Sequence, residues 1–168
     1  MAVQTSPIAP CLSFDTEALE VAEHYVSIFP DSRIISVSHY GEAGREFHKR
    51  EPGSVLTVEI SLGGSRFCLL NGGPFAPFNQ AISFQVPCDT QEEIDHLWEK
   101  LSQGPGAAAL QCGWVKDKYG VSWQIFPAKM REWLAGPSTP ASDRVMAAMM
   151  TMGKLDLETL RQAYESAG

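Results

Sequence analysis

Long apolar runs are missing from this 168-residue chain, and with them the roughly 18–20-residue stretch that a membrane span needs. Basic residues are outnumbered: 13 Lys and Arg face 20 Asp and Glu, giving a net charge of -7 and a pI near 5.0. That sign excludes nucleic acid or an anionic membrane surface as the main partner, since either would be repelled. The opening MAVQTSPIAP has neither the basic nor the apolar segment of a secretion signal, so the expected location is cytoplasmic. The four cysteines (Cys11, Cys68, Cys88, Cys112) are far apart and form no CxxC. They are read as reduced, mostly buried thiols rather than a disulfide framework or a zinc site. The four histidines show no HxH or HExxH spacing. No paired-carboxylate, Ser–His–Asp or Cys–His arrangement can be defended either.

What is present is a globular composition, 44% hydrophobic, with enough apolar residues for one sizeable core. Residues 1–7 read as a flexible tail. Ile8 to Phe14 alternates as a strand, and Asp15 or Thr16 is placed to cap a helix running to about Phe29, with Leu19, Ala22 and Val26 at helical spacing. Arg33–Tyr40 alternates again, a polar loop covers 41–53, and Ser54–Leu62 with Arg66–Leu70 forms a hairpin about Gly63–Gly64. The order so far is βαβββ.

The same order then repeats. After NGGPFAPFN (71–79), Ala81–Pro87 reads as a strand. Thr90 and Glu93 make a capping box for a helix whose apolar stripe is Ile94, Leu97, Trp98 and Leu101. A Gly/Ala/Pro stretch (104–109) leads into QCGWVKDKYGVSWQIFP (111–127), whose arms alternate about a turn at Asp117–Gly120. Asp15–Thr16 and Asp89–Thr90 open the two helices alike, which marks an internal repeat. Beyond it, 129–134 reads as a short helix and GPSTPAS (136–142) as a linker. Two amphipathic helices follow over Asp143–Met152 and Asp156–Ala167, with a methionine stripe read as packing surface.

Several side chains stand out as ligand-facing. Gln124 sits mid-strand between Trp123 and Ile125, where an unsatisfied amide costs on the order of 1–3 kcal/mol, so it must bond a neighbouring strand residue or a ligand. Ser83 and Gln85 share one face of their strand. Trp114 and Lys116 share a face of theirs and either suit a flat anionic or carbonyl-bearing molecule or form an aromatic plug with a snorkelling lysine. Asn71 and Asn79 flank a loop that can act as a lid, or are turn formers. His39, ending a strand, is the histidine placed near a binding mouth, whereas His24 and His96 are read as solvent-facing helix residues.

CLSFDTEALEVAEHYVSIFPDSR, NGGPFAPFNQAISFQV and GWVKDKYGVSWQ resemble the PhnB-like subgroup of the vicinal-oxygen-chelate (glyoxalase/bleomycin-resistance/dioxygenase) superfamily. That subgroup often carries the label 3-demethylubiquinone-9 3-methyltransferase-like, and RVMAAMMTMGKLDLETLRQAY is similar to its C-terminal part. The resemblance implies an α+β fold in which two βαβββ modules (8–74 and 79–128, within a domain spanning 8–135) form a glyoxalase-like cupped mixed sheet, followed by a helical extension over 136–168. Metal enzymes of the superfamily place two histidines and a glutamate on the inner strands. Those positions fall at about Ala9, at Ala81 and at Gln124, so no metal and no cofactor is expected. A Gly-rich strand-to-helix turn for a methyl-donor cofactor is absent as well. The resulting expectation is a homodimeric protein binding a small anionic or carbonyl-bearing molecule through Gln124, Trp114, Lys116, Ser83, Gln85, Asn71 and His39. The alternative is an enzyme of the same superfamily with a non-standard metal or acid/base site.

Overall fold

The structure is a computed structural model, and it describes residues 8–73 and 76–166. The tail expected over 1–7 and the centre of the 71–79 loop lie outside the described residues. The chain divides into two compact units between Pro77 and Phe78.

The first unit runs β1 (Cys11–Phe14), α1 (Ala18–Ile28), β2 (Arg33–His39), α2 (Arg45–His48), β3 (Val55–Leu62) and β4 (Ser65–Asn71). Its sheet has the order β1-β4-β3-β2, with β1 parallel to β4 and the other neighbours antiparallel. Alternation sends Leu12, Phe14, Val58, Ile60, Phe67 and Leu69 to the face that meets Val21, Ala22, Tyr25 and Ile28 of α1, and all of these are buried. At about 25 cal/mol per Å² of apolar area, this layer is the unit's main source of stability.

Helix α1 starts later than the sequence suggests. Neither Asp15 nor Thr16 caps it; Glu17 holds the cap position without a side-chain bond. Instead Asn71, at the end of β4, accepts the Ala18 N–H on Oδ1 at 2.9 Å. Asp15 pairs with Arg50 at 2.7 Å. A cap supplied by a residue 53 positions away satisfies the same orphan N–H that a local cap would, but it leaves no local pattern to read. Helix α2 is likewise unannounced in its polar loop, entered from Gly44 at φ 77.

The second unit repeats the plan: β5 (Phe84–Cys88), α3 (Gln91–Leu101), β6 (Ala108–Ala109), β7 (Trp114–Lys116) and β8 (Ser122–Pro127), in the order β5-β8-β7-β6. The two orders match strand for strand, so the repeat inferred from the sequence is present in the topology. Each sheet is open, with two edges of its own. The capping box on α3 forms as expected, Thr90 Oγ1 accepting from Glu93 N–H at 3.2 Å while the Glu93 carboxylate accepts from Thr90 N–H. Ile94, Leu97 and Leu101 then bury against Val115, Trp123 and Ile125.

Three helices complete this unit: α4 (Met130–Trp133), α5 (Pro140–Met149) and α6 (Leu157–Glu165). Helix α5 begins inside the stretch read as a linker. Thr139 and Ser142 form its capping box, with Pro140 in the first turn, where a missing N–H costs nothing. Asp156 caps α6 as the sequence predicts. Met130, Val145, Leu155 and Leu160 form a buried cluster, with Phe126, Met149 and Met152 packed against it. The methionine stripe is therefore packing surface in part, although Met150 stays exposed. Backbone bonds tie the last loop to the sheet: Cys112 N–H to Met152 O and Gly113 N–H to Gly153 O, both 2.8 Å. Gly113 is required there, since φ is 79 and a Cβ would come within 2.4 Å of Ile125 O.

Candidate functional site in the second unit

The face of the second sheet turned away from α3 carries the candidate site. Alternation along β8 puts Trp123 and Ile125 on the α3 side and Ser122, Gln124 and Phe126 on the other. The register pairs Gln85 with Gln124 and Gln124 with Trp114. Three neighbouring strands thus present one row, Gln85–Gln124–Trp114, with Lys116 opposite Ser122 one step along. Trp123 and Phe84 belong to the core layer instead, their rings 5.4 Å apart, so neither plugs this face.

The hairpin that delivers the row is organised by Asp117, a side chain only 1% exposed. Its Oδ1 accepts the Tyr119 and Val121 N–H groups, both at 2.9 Å, and its Oδ2 accepts Trp123 Nε1–H at 2.8 Å. Gly120 takes φ 89 in the turn, as the sequence suggests. The sequence places Asp117 at the start of the turn, but its bond to the Trp123 indole was not expected. Its position at the head of an Asx-type turn was the signal available. Ser122 Oγ, buried at the start of β8, has no hydrogen-bond partner among the described residues.

Gln124 meets the neighbouring-strand alternative: its Nε2 donates to Ser83 Oγ at 2.7 Å. A fixed amide of this kind can still offer its remaining lone pairs and N–H to a small molecule. Beside it lies a cavity of ≈ 400 Å³ lined by Gln85, Gln124 and Trp114 from the sheet, and by Phe126, Met130, Leu134, Met149 and Leu155 from the end of β8 and the C-terminal helices. Cys112 and Arg131 complete the lining. A volume of this size suits a small metabolite. Arg131 carries the only charge on the wall among the described residues. Its guanidinium stands 5.6 Å from the Phe126 ring centroid and makes no ion pair among the described residues.

The remaining candidates fall elsewhere. Lys116 shares the face but does not line the cavity, and Ser83 reaches it only through Gln124. His39 and Asn71 belong to the first unit. His39 is exposed at the end of β2. Asn71 is 5% exposed, its Oδ1 accepting from Ala18 and its Nδ2 donating to Val55 O at 3.1 Å. Asn79 accepts the Ala81 N–H at 2.8 Å, the turn-forming alternative. Arg131 and the helical wall were missed from sequence because they lie beyond the repeat, in a segment whose pattern signals only a short helix. Among the described residues no group of three or more His, Cys, Asp or Glu is placed to hold a metal ion.

The model of the 3-demethylubiquinone-9 3-methyltransferase family matches residues 6–126. A Bacillus cereus structure, described as a candidate 3-demethylubiquinone-9 3-methyltransferase and PhnB protein, is 34% identical. The match covers 71% of this chain and 98% of that one, with a TM-score of 0.61. The chain belongs to this family, and its Bacillus cereus relative carries the PhnB name. A second solved structure, a Pseudomonas aeruginosa protein, is 16% identical over 73% of this chain and 98% of that one, with a TM-score of 0.54, and shares the fold. No curated protein matches the sequence significantly. The family match ends at residue 126, so the helices that wall the cavity lie outside it.

Proposed function

We propose that this PhnB-like protein binds a small anionic or carbonyl-bearing molecule with a flat apolar body, in the cavity of its second unit and without a metal ion. The observation that carries the reading is Arg131, a guanidinium with no ion pair among the described residues and, among them, the only charge on an otherwise apolar and amide-lined wall. In a chain of net charge -7, a lone cation on such a wall attracts an acidic ligand locally, and a guanidinium fork grips carboxylate or phosphate oxygens with two parallel bonds. Gln85 and Gln124 add neutral donors and acceptors in register, Trp114 offers a ring face, and the helical wall excludes water from the apolar body.

The donor set supports the metal-free part. Where metal-using relatives carry a glutamate on the last strand, Gln124 offers a neutral amide already bonded to Ser83, and Ala81 has no donor at all. Hard divalent cations favour carboxylate oxygens and borderline ones such as zinc favour imidazole or thiolate, which this set does not fit. Binding is favoured over acid/base turnover because no carboxylate or imidazole lines the cavity among the described residues. The methyl transfer in the family's name lacks support here as well: the β1–α1 link, Asp15–Glu17, holds no glycine, and the sheets are mixed rather than doubly wound. No helix among the described residues is long and apolar enough to cross a membrane, which fits a cytoplasmic address. A homodimer through edge strands accompanies this reading, since β2 is an edge strand with Ile35 and Val37 partly exposed.

A thermal-shift screen of small aromatic and 2-oxo carboxylates on chelator-treated protein tests it. Ligands selective for the native state raise the melting temperature by mass action. Stabilisation that vanishes in Arg131→Ala supports the proposal. Stabilisation equal in that variant, or seen only after a divalent metal is added, overturns it.

A further inference from the structure

The internal repeat lays the same three-strand row across both sheets. Cys11 stands four residues before Asp15–Thr16 and Gln85 four before Asp89–Thr90. Each is in register with a residue of the adjacent parallel strand, Cys68 and Gln124 respectively. The third member is Trp114 in the second unit and Glu59 in the first. Where one module carries two amides and a ring, the other carries two thiols and a carboxylate. Alternation puts this first-unit row on the sheet face opposite α1, since Leu12, Val58, Ile60, Phe67 and Leu69 take the buried face.

We propose that Cys11 and Cys68 form a reversible dithiol–disulfide site that takes a low-molecular-weight disulfide as oxidant, with Glu59 accepting the Cys68 proton. Adjacent strands lie about 4.8 Å apart, inside the roughly 4.4–6.8 Å Cα range of disulfides. The register sets Cys11 beside Cys68 and Cys68 beside Glu59, so the three side chains share one face of the sheet. Strand β1 is an edge strand of four residues paired, among the described residues, only with β4, so it can shift to bring the sulfurs to bonding distance without breaking a second ladder.

Access sets the order of events, since Cys11 is exposed and Cys68 only partly so. The Cys11 thiolate attacks one sulfur of RS–SR, forming a mixed disulfide and releasing RS⁻. Cys68 then gives its proton to Glu59, and its sulfur attacks Cys11 Sγ, forming the Cys11–Cys68 bond as the second RS⁻ leaves. Two protein thiols lose two electrons in total, and one small disulfide becomes two thiols. Burial first, then Cys11 and Glu59, push the Cys68 thiol up to about 12. An adjacent base is therefore what the second step needs. Cys88 is buried and also pushed up to about 12, by burial and then by Glu93 and Asp89, so it serves as an internal control.

The test treats the reduced full chain with oxidised glutathione, quenches with iodoacetamide and maps peptides by mass spectrometry. The expected product is a Cys11–Cys68 cross-link reversed by dithiothreitol, with Cys88 and Cys112 alkylated. Cys68→Ser should stop at a glutathione adduct on Cys11. Glu59→Gln should slow conversion of that adduct to the cross-link by about tenfold or more. An adduct that persists on Cys11 in the unaltered protein, an unreactive Cys11, or a cross-link through Cys88 or Cys112 would overturn the site. An unchanged rate in Glu59→Gln would overturn the role of Glu59.

Discussion

Gln124, in the middle of β8, donates from Nε2 to Ser83 Oγ at 2.7 Å, bridging to the residue just before β5. That bond orients the amide within a row whose other members, Gln85 and Trp114, line the cavity with it. It also makes the contribution of Gln124 to folding modest, because a net hydrogen bond in a partly exposed position is worth about 1 kcal/mol.

Gln124→Leu should therefore leave the fold intact and lower stability by no more than about 1.5 kcal/mol, while abolishing ligand-induced stabilisation. Urea unfolding measures the first and thermal shift the second. Loss of folding instead would assign Gln124 to the core.

Asp117→Ala should be far more damaging, since it strips partners from two turn N–H groups and from the Trp123 indole at a site 1% exposed. Leaving buried donors unpaired costs about 1–3 kcal/mol each, so a loss of at least about 3 kcal/mol is expected in urea unfolding followed by Trp fluorescence. A loss under about 1 kcal/mol would contradict the assignment.

Asn71→Ala removes the cap of α1 and the link to Val55. A loss of about 2 kcal/mol is expected, whereas Asp15→Ala and Thr16→Ala should each cost under about 0.5 kcal/mol. Amide hydrogen exchange at Ala18 reports directly on the cap. Equal protection in Asn71→Ala and the unaltered chain would contradict it.

These contrasts show which features the sequence reveals. Alternation, the capping box at Thr90–Glu93 and the Gly120 turn are local patterns, and each formed where the letters place it. The paired Asp–Thr steps exposed the repeat because each follows the first strand of its unit, although only Thr90 caps a helix. The cap on α1 was hidden because its acceptor comes from β4, 53 residues on. The helical wall of the cavity was hidden for the same kind of reason: Arg131 and Met149 reach it through the tertiary packing of a segment outside the repeat. Of the residues expected to meet a ligand, Gln124, Gln85 and Trp114 line one cavity. Asn71 is tied into the backbone of the first unit by bonds no local pattern announces.

The C-terminal helix offers a prediction about pH. Arg161 first, then Gln162, draw the Glu158 carboxyl down from 4.5 to about 2, and Arg161 also pairs with Glu165. A folded-state value below the unfolded one gives stability that is fully present above about pH 4.5 and is lost as pH falls towards about 2. This contribution to α6 should therefore be complete above about pH 4.5 and fall away between there and about pH 2. The effect should be small and weakened by salt because the group is exposed. Hydrogen exchange in α6 between pH 5 and 2 checks this. Glu158→Gln should flatten the dependence, and an unaltered profile in that variant would contradict the account.

The most direct test of a metal-free anion site in the second unit is an NMR titration of chelator-treated protein with benzoate, following the Trp114 indole, the Gln85 and Gln124 side-chain amides and the Arg131 guanidinium. The account predicts saturable shifts at these four side chains, with no divalent cation added and with Trp123 unaffected in the core. Shifts that appear only when a divalent metal is supplied, or that spare Gln124 and Arg131, would contradict it.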